Sequence, residues 1–133
     1  WDQARNAFTQ ALDASETQVD AYIGLAKVAY ALSADQDELT FLQQALNLAP
    51  KNVEVLTGLG KAHHALAHYK EAQKVYAKAL KIAPENAQVH YLLAFSWERL
   101  GQKKRALAAL KKALELKPDF QEAKAAIEKR RLP

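Results

Sequence analysis

Hydrophobic positions recur along this chain at helical spacing. In residues 69–82, Ala72, Val75, Tyr76, Ala79, Leu80 and Ile82 return every three or four places with lysines between them, which predicts a helix with one buried face. Pro84 stops that helix, since it lacks an amide hydrogen and clashes with the preceding turn, and Asn86 is placed to cap the next one. The same ending stands 34 residues earlier as Leu48-Ala49-Pro50-Lys51-Asn52, and 34 residues later as Leu116-Lys117-Pro118-Asp119. A period of that size, with two helical stretches inside it, predicts an array of helix pairs.

Read in order, the pattern predicts helices over residues 1–14, 19–32, 35–48, 53–66, 69–82, 87–100 and 103–116, with a last one from about 119 to 131. The inward faces are Ala4, Phe8, Ala11 and Leu12; then Tyr22, Leu25, Ala26 and Ala29; then Leu56, Leu59, Gly60 and His63; then His90, Leu93, Ala94 and Trp97. Asp35 with Glu38 and Asp119 with Glu122 read as helix-start pairs, Asn52 as a cap, and Gly101 as a left-handed stop. Short connections make neighbouring helices antiparallel hairpins, and no strand is predicted. Small residues keep register, with Ala26, Gly60 and Ala94 in first helices and Ala11, Ala45, Ala79 and Ala113 in second ones. Facing small residues let two helices approach closely, while Phe8, Leu42, Tyr76 and Leu110 fill the space beside them.

This arrangement resembles the tetratricopeptide repeat. That family's first helix carries a large residue, Leu-small and a large residue, here Leu56, Leu59-Gly60 and His63; its second carries small, large, small and then Pro, here Ala72, Tyr76, Ala79 and Pro84. The next repeat matches with His90, Leu93-Ala94, Trp97, Ala106, Leu110, Ala113 and Pro118, and the previous one with Tyr22, Leu25-Ala26, Ala29, Leu42, Ala45 and Pro50. Glu38 departs from the usual alanine. The resemblance implies an all-α, right-handed superhelical solenoid of seven to eight helices. Residues 1–18 would be the second half of a repeat, 19–52, 53–86 and 87–120 full repeats, and 121–133 a capping helix.

Composition narrows the chemistry. The chain has no cysteine, which excludes disulfides, thiolate metal sites and a cysteine nucleophile. No apolar run approaches the roughly 20 residues of a membrane span. Its glycines stand singly, and Ser15, Ser33 and Ser96 sit in no nucleophile motif, so no enzyme and no cofactor are expected. His64 and His68 are four apart, but nothing completes a metal site, and none is expected. The chain begins at Trp1 with no methionine or signal peptide and is expected to be a segment of a longer protein, its compartment left open between cytoplasm and periplasm.

Charge is uneven. Residues 1–52 carry three basic and seven acidic side chains, and residues 53–133 carry sixteen and eight. The basic excess includes Lys103, Lys104, Arg105, Lys111, Lys112, Lys124, Lys129, Arg130 and Arg131. Binding of RNA or another polyanion by this half is one alternative. It is disfavoured because the lysines alternate with core positions on outward-facing helices and lack exposed aromatics for base stacking.

The resemblance places the binding face on the concave side, lined by first-helix residues outside the core set. The expected partner-binding groove is Ile23, Lys27, Tyr30, Lys61, His64, Tyr91 and Phe95. Gly24 and Gly58 would let a ligand approach the backbone. The five-residue carboxylate clamp of chaperone-binding relatives is not kept. One frame has Ile23, Lys27, Gly58, Gln88 and Leu92, and the next has Thr57, Lys61, Leu92, Glu122 and Ala126. The function expected is a non-enzymatic interaction module for a peptide, helix or domain of another protein, perhaps one with an acidic segment. A second alternative is an assembly scaffold of a bacterial secretion or polysaccharide-export machine. The apolar face with Phe8 and Leu12 would lack its natural cover and favour self-association through the first helix.

Overall fold

The computed structural model describes residues 18–131. They form seven helices and no strand: α1 Gln18–Ala31, α2 Asp35–Leu48, α3 Val53–Ala65, α4 Tyr69–Ile82, α5 Ala87–Arg99, α6 Lys103–Leu116 and α7 Gln121–Arg131. The helix expected over residues 1–14, and the self-association expected of it, lie outside the described residues. The chain divides into two compact units, Trp1–Ala67 and His68–Pro133. In the first, α1 packs on α2 and α2 on α3; in the second, α4 packs on α5, α5 on α6 and α6 on α7.

The connections obey the 34-residue period bond by bond. At the end of each second helix the amide of Ala49, Ala83 or Lys117 donates to the carbonyl of Ala45, Ala79 or Ala113 (2.9, 2.8 and 2.9 Å). Three residues on, the amide of Asn52, Asn86 or Phe120 donates to the carbonyl of Ala49, Ala83 or Lys117 (3.1, 3.1 and 3.0 Å). Asn52 Oδ1 then accepts the Val55 amide and Asn86 Oδ1 that of Val89, each at 3.1 Å. Both asparagines are the caps that the pattern predicts.

The turn inside each pair uses a left-handed residue at the same period: Ser33 (φ +56°), Ala67 (φ +62°) and Gly101 (φ +79°). After it, the amide of Ala34 donates to Ala29 and that of Gln102 to Trp97, each at 2.8 Å, closing the helix end in a Schellman turn. Asp35 is not the cap that its spacing with Glu38 suggests. The left-handed Ser33 brings the chain into the helix early, so Ala34 is the cap residue and Asp35 the first helical one. Likewise α7 opens at Gln121 rather than at Asp119, because the buried Phe120 stands at its start and accepts the Lys124 amide.

Burial repeats with the sequence. Leu25, Ala26 and Ala29 on α1, Leu59 and Gly60 on α3, and Leu93 and Ala94 on α5 are inside, as are Leu42 and Ala45, Ala72, Tyr76 and Ala79, and Ala106, Leu110 and Ala113 on the second helices. Removing that apolar area from water supplies the main driving force for folding. The second unit has one contiguous core of Ala94, Ala109, Leu110, Ala113, Phe120, Ala123 and Ile127. Tyr22, His63, His90 and Trp97, expected inside, are half-buried because their polar or bulky ends stay at the surface. His90 Nε2 lies 3.0 Å from the Pro84 carbonyl, and the Arg105 guanidinium covers the Trp97 ring at 4.8 Å. Ile82 was expected on the buried face but is 43 % exposed. It is the final residue of α4, where the packed face ends, as is the exposed Leu48 in α2.

Candidate partner-binding faces of the first helices

Each first helix leaves three positions, spaced i, i+4 and i+7, outside its buried stripe. They are Ile23, Lys27 and Tyr30 on α1; Thr57, Lys61 and His64 on α3; and Tyr91, Phe95 and Glu98 on α5. Helical geometry puts each trio on one face. The same 34-residue translation relates all three.

In the first unit, Ile23 is half-buried, Lys27 is exposed and Tyr30 is 70 % exposed. A tyrosine this open is not packing against a neighbour, so its ring is free to meet a ligand. On α3, Lys61 is exposed and His64 half-buried, while Thr57 turns its hydroxyl back to the Val53 carbonyl at 2.8 Å. Glu38 of α2 stands where the other second helices carry Ala72 and Ala106. Burial raises its carboxyl above the ordinary carboxylate value, Asp35 raises it further, and Lys61 pulls the other way. Lys61 therefore does not face a ligand as an isolated cation.

Gly58 does not offer open backbone. A Cβ built there would meet Leu42 Cδ2 at 3.2 Å, so the space belongs to the buried Leu42 of α2. The glycine serves helix packing instead of ligand approach. Gly24 is half-buried.

In the second unit the aromatic positions form a chain of rings. Tyr91 meets Phe95 edge to face, with centroids 4.9 Å apart at 88°, and lies against Phe120 at 4.9 Å and 40°. Tyr91 thus spends part of its ring on the core, whereas the sequence reading left it wholly for a ligand. Arg130 of α7 covers Phe95 at 6.0 Å, pairs with Glu98, and donates from Nη1 to the Ala126 carbonyl at 2.7 Å. The bridging role of Arg130 was not visible in the spacing, which counts residues along one helix and does not register the reach of a long side chain from another.

Two further groups bear on the chemistry. Ser96 is fully buried and its hydroxyl has no hydrogen-bond partner. His68, four residues from His64, is the cap residue before α4. Among the described residues no three histidine, aspartate or glutamate side chains gather where a metal could bind, and no helix is long and apolar enough to cross a membrane.

Comparisons with known proteins agree with the repeat register. Tetratricopeptide-repeat family models match residues 39–94 and 68–129, and a second such model matches residues 1–53. No curated protein sequence matches the chain significantly. Among solved structures, MamA superposes with a TM-score of 0.86 at 23 % identity, covering 95 % of this chain and 74 % of that one. The tetratricopeptide domain of Arabidopsis OM64 gives 0.81 at 23 %, covering 86 % and 94 %. YrrB, described as a tetratricopeptide protein with an unusual peptide-binding site, gives 0.84 at 24 %, covering 93 % of this chain and 64 % of its own. At these identities the likeness establishes the all-helical repeat fold. Family models cover most of the sequence, and the chain belongs to the tetratricopeptide-repeat family.

Proposed function

We propose that this chain is a non-enzymatic binding module that holds a peptide or helix of a partner protein on the exposed faces of its first helices. Ile23, Lys27, Tyr30, Lys61 and His64 serve in the first unit, and Tyr91 and Phe95 in the second. The observation that carries the proposal is the 70 % exposure of Tyr30 on the same helix face as Lys27. A large amphipathic ring is presented beside a cation, with no structural role to occupy it. Aromatic rings of this kind supply contact area at small entropic cost. Lys27 and Lys61 favour an acidic segment and act mainly on its rate of association. Generic peptide binding by tetratricopeptide folds, as in the description of YrrB, supports the reading.

Site-directed cross-linking tests it. Peptides are first selected from a random displayed library against the whole chain. A photoreactive phenylalanine analogue is then placed at Tyr30 or, as a control, at the exposed Lys78 of α4. The expected result is cross-linking of selected peptides from position 30 and none from position 78. Cross-linking from 78 alone would move the site away from the first helices.

A further inference from the structure

We infer that the end of the second unit where α5 turns into α6 is a second interaction surface, and that it takes single-stranded nucleic acid through its phosphates. The residues are Lys70, Arg99, Lys103, Lys104 and Arg105, all exposed. The Gly101 turn places Arg99 and the run from Lys103 to Arg105 within one short stretch. Arg99 lies over the Tyr69 ring at 5.9 Å, which brings the start of α4, and with it Lys70, to the same end.

Three features separate this cluster from an ordinary solvated face. None of the five cations has a carboxylate partner. Among the described residues the ion pairs are Lys112 with Glu115 and Arg130 with Glu98, so the nearby Glu98 is already engaged. Second, the first turn of α6 has no acid and three cations, whereas α2 has Asp35, Asp37 and Glu38 there and α4 has Glu71. Cations at a helix N-terminus oppose the helix dipole, so this placement works against the stability of α6. Third, both arginines rest on aromatic rings, Arg99 on Tyr69 and Arg105 on Trp97 at 4.8 Å. A guanidinium laid flat on a ring is held with its N–H edge outward for a phosphate and its other face open.

That open face is what favours nucleic acid over an acidic protein segment. An unstacked base can lie on a guanidinium plane while the phosphate meets its edge, but a carboxylate peptide has no use for the plane. The sequence reading disfavoured nucleic acid for want of exposed aromatics. In the structure the rings are covered, and the arginines above them present the stacking surface instead. This surface is separate from the first-helix faces and does not depend on their role.

The test is fluorescence anisotropy of a fluorescein-labelled 20-nucleotide oligouridylate with the whole chain. Five phosphate contacts on a single strand give a slope of about −3.5 in log affinity against log salt, so binding should fall about 100-fold between 50 and 200 mM salt. Lys103→Glu with Lys104→Glu should weaken binding at least tenfold and flatten the slope by about 1.4. Lys111→Glu with Lys124→Glu makes the same charge change on α6 and α7 and should alter affinity less than about threefold. Arg99→Lys with Arg105→Lys keeps every charge but loses the planes, and should cost about fivefold or more. Circular dichroism confirms that each variant keeps its helices. The inference is overturned by absence of binding at 50 mM salt, or by equal loss in the two charge-reversal pairs, which would mean diffuse attraction. It is also overturned by no effect of the arginine-to-lysine pair, or by a polyglutamate peptide binding as tightly with the same sensitivity, which would assign the surface to acidic proteins.

Discussion

Ser33, Ala67 and Gly101 occupy one structural position three times over, and exchanging their side chains isolates the cost of a left-handed backbone. Their φ values are +56°, +62° and +79°, and each amide donates at 3.0 Å to the carbonyl three residues back, that of Tyr30, His64 or Glu98. A non-glycine residue pays about 1–2 kcal/mol for this region, because Cβ crowds the following carbonyl. Glycine removes that cost but adds freedom to the unfolded chain worth about 0.5–1 kcal/mol. The balance makes Ala67→Gly and Ser33→Gly each stabilising by about 0.5–1 kcal/mol. Gly101→Ala should cost about the same amount, and here the structure removes the usual ambiguity. A Cβ at Gly101 meets nothing within 4 Å, so the loss is conformational and not steric. Urea unfolding monitored by circular dichroism should show midpoint shifts of opposite sign at unchanged slope. The double variant Ala67→Gly with Gly101→Ala should return near the parent, since the sites are far apart in sequence and share no partner. Loss of stability in Ala67→Gly, or a gain in Gly101→Ala, would refute the equivalence of the three turns.

Two other expectations follow from the core and from the Glu38 position. Ser96→Ala should stabilise by about 1–2 kcal/mol in thermal unfolding, because it removes a buried hydroxyl with no partner and substitutes a better helix former; the preceding repeat already has Ala62 there, and a loss of stability would show that the hydroxyl is bonded. The Glu38 carboxyl is raised, chiefly by burial, so the folded state holds a proton that the unfolded state releases. Its contribution to stability is present below the ordinary carboxylate range and is lost as pH rises through the raised value. Glu38→Gln should therefore flatten the stability–pH curve on that limb and leave the variant the more stable of the two at neutral pH, as urea midpoints measured across that range would show; an unchanged curve would mean the carboxyl is effectively solvated.

What could be read in the sequence was what repeats. Asn52 and Asn86, the alanine columns and the proline stops are local devices with a local cause, and translation by 34 residues verified each one against the next. Ser33 and Ala67 were legible by the same shift from Gly101, but neither residue type advertises a left-handed backbone. Gly58 illustrates the limit. A glycine on an exposed-looking position invites a ligand, yet its neighbour is Leu42 of another helix, and that contact is set by tertiary packing. The candidate site divides in the same way. Tyr30 and Lys27 stand out because spacing alone leaves them off the buried stripe. The sharing of Tyr91 with Phe120, and the cover of Phe95 by Arg130, depend on how α7 meets α5.

The central claim, that first-helix faces bind the partner, is tested most directly by affinities of the selected peptides for Tyr30→Ala, Phe95→Ala and Lys27→Glu with Lys61→Glu. Tyr91 is left intact because its ring also supports Phe120. Covering a tyrosine ring that is 70 % exposed is worth about 1–2 kcal/mol, which is about 5–30-fold in affinity. Surface plasmon resonance should show a loss of that size for Tyr30→Ala through faster dissociation, a comparable loss for Phe95→Ala, and slower association for the lysine pair. Unchanged affinities and rates in all three variants, with the fold intact, would contradict the account and place the partner elsewhere on the molecule.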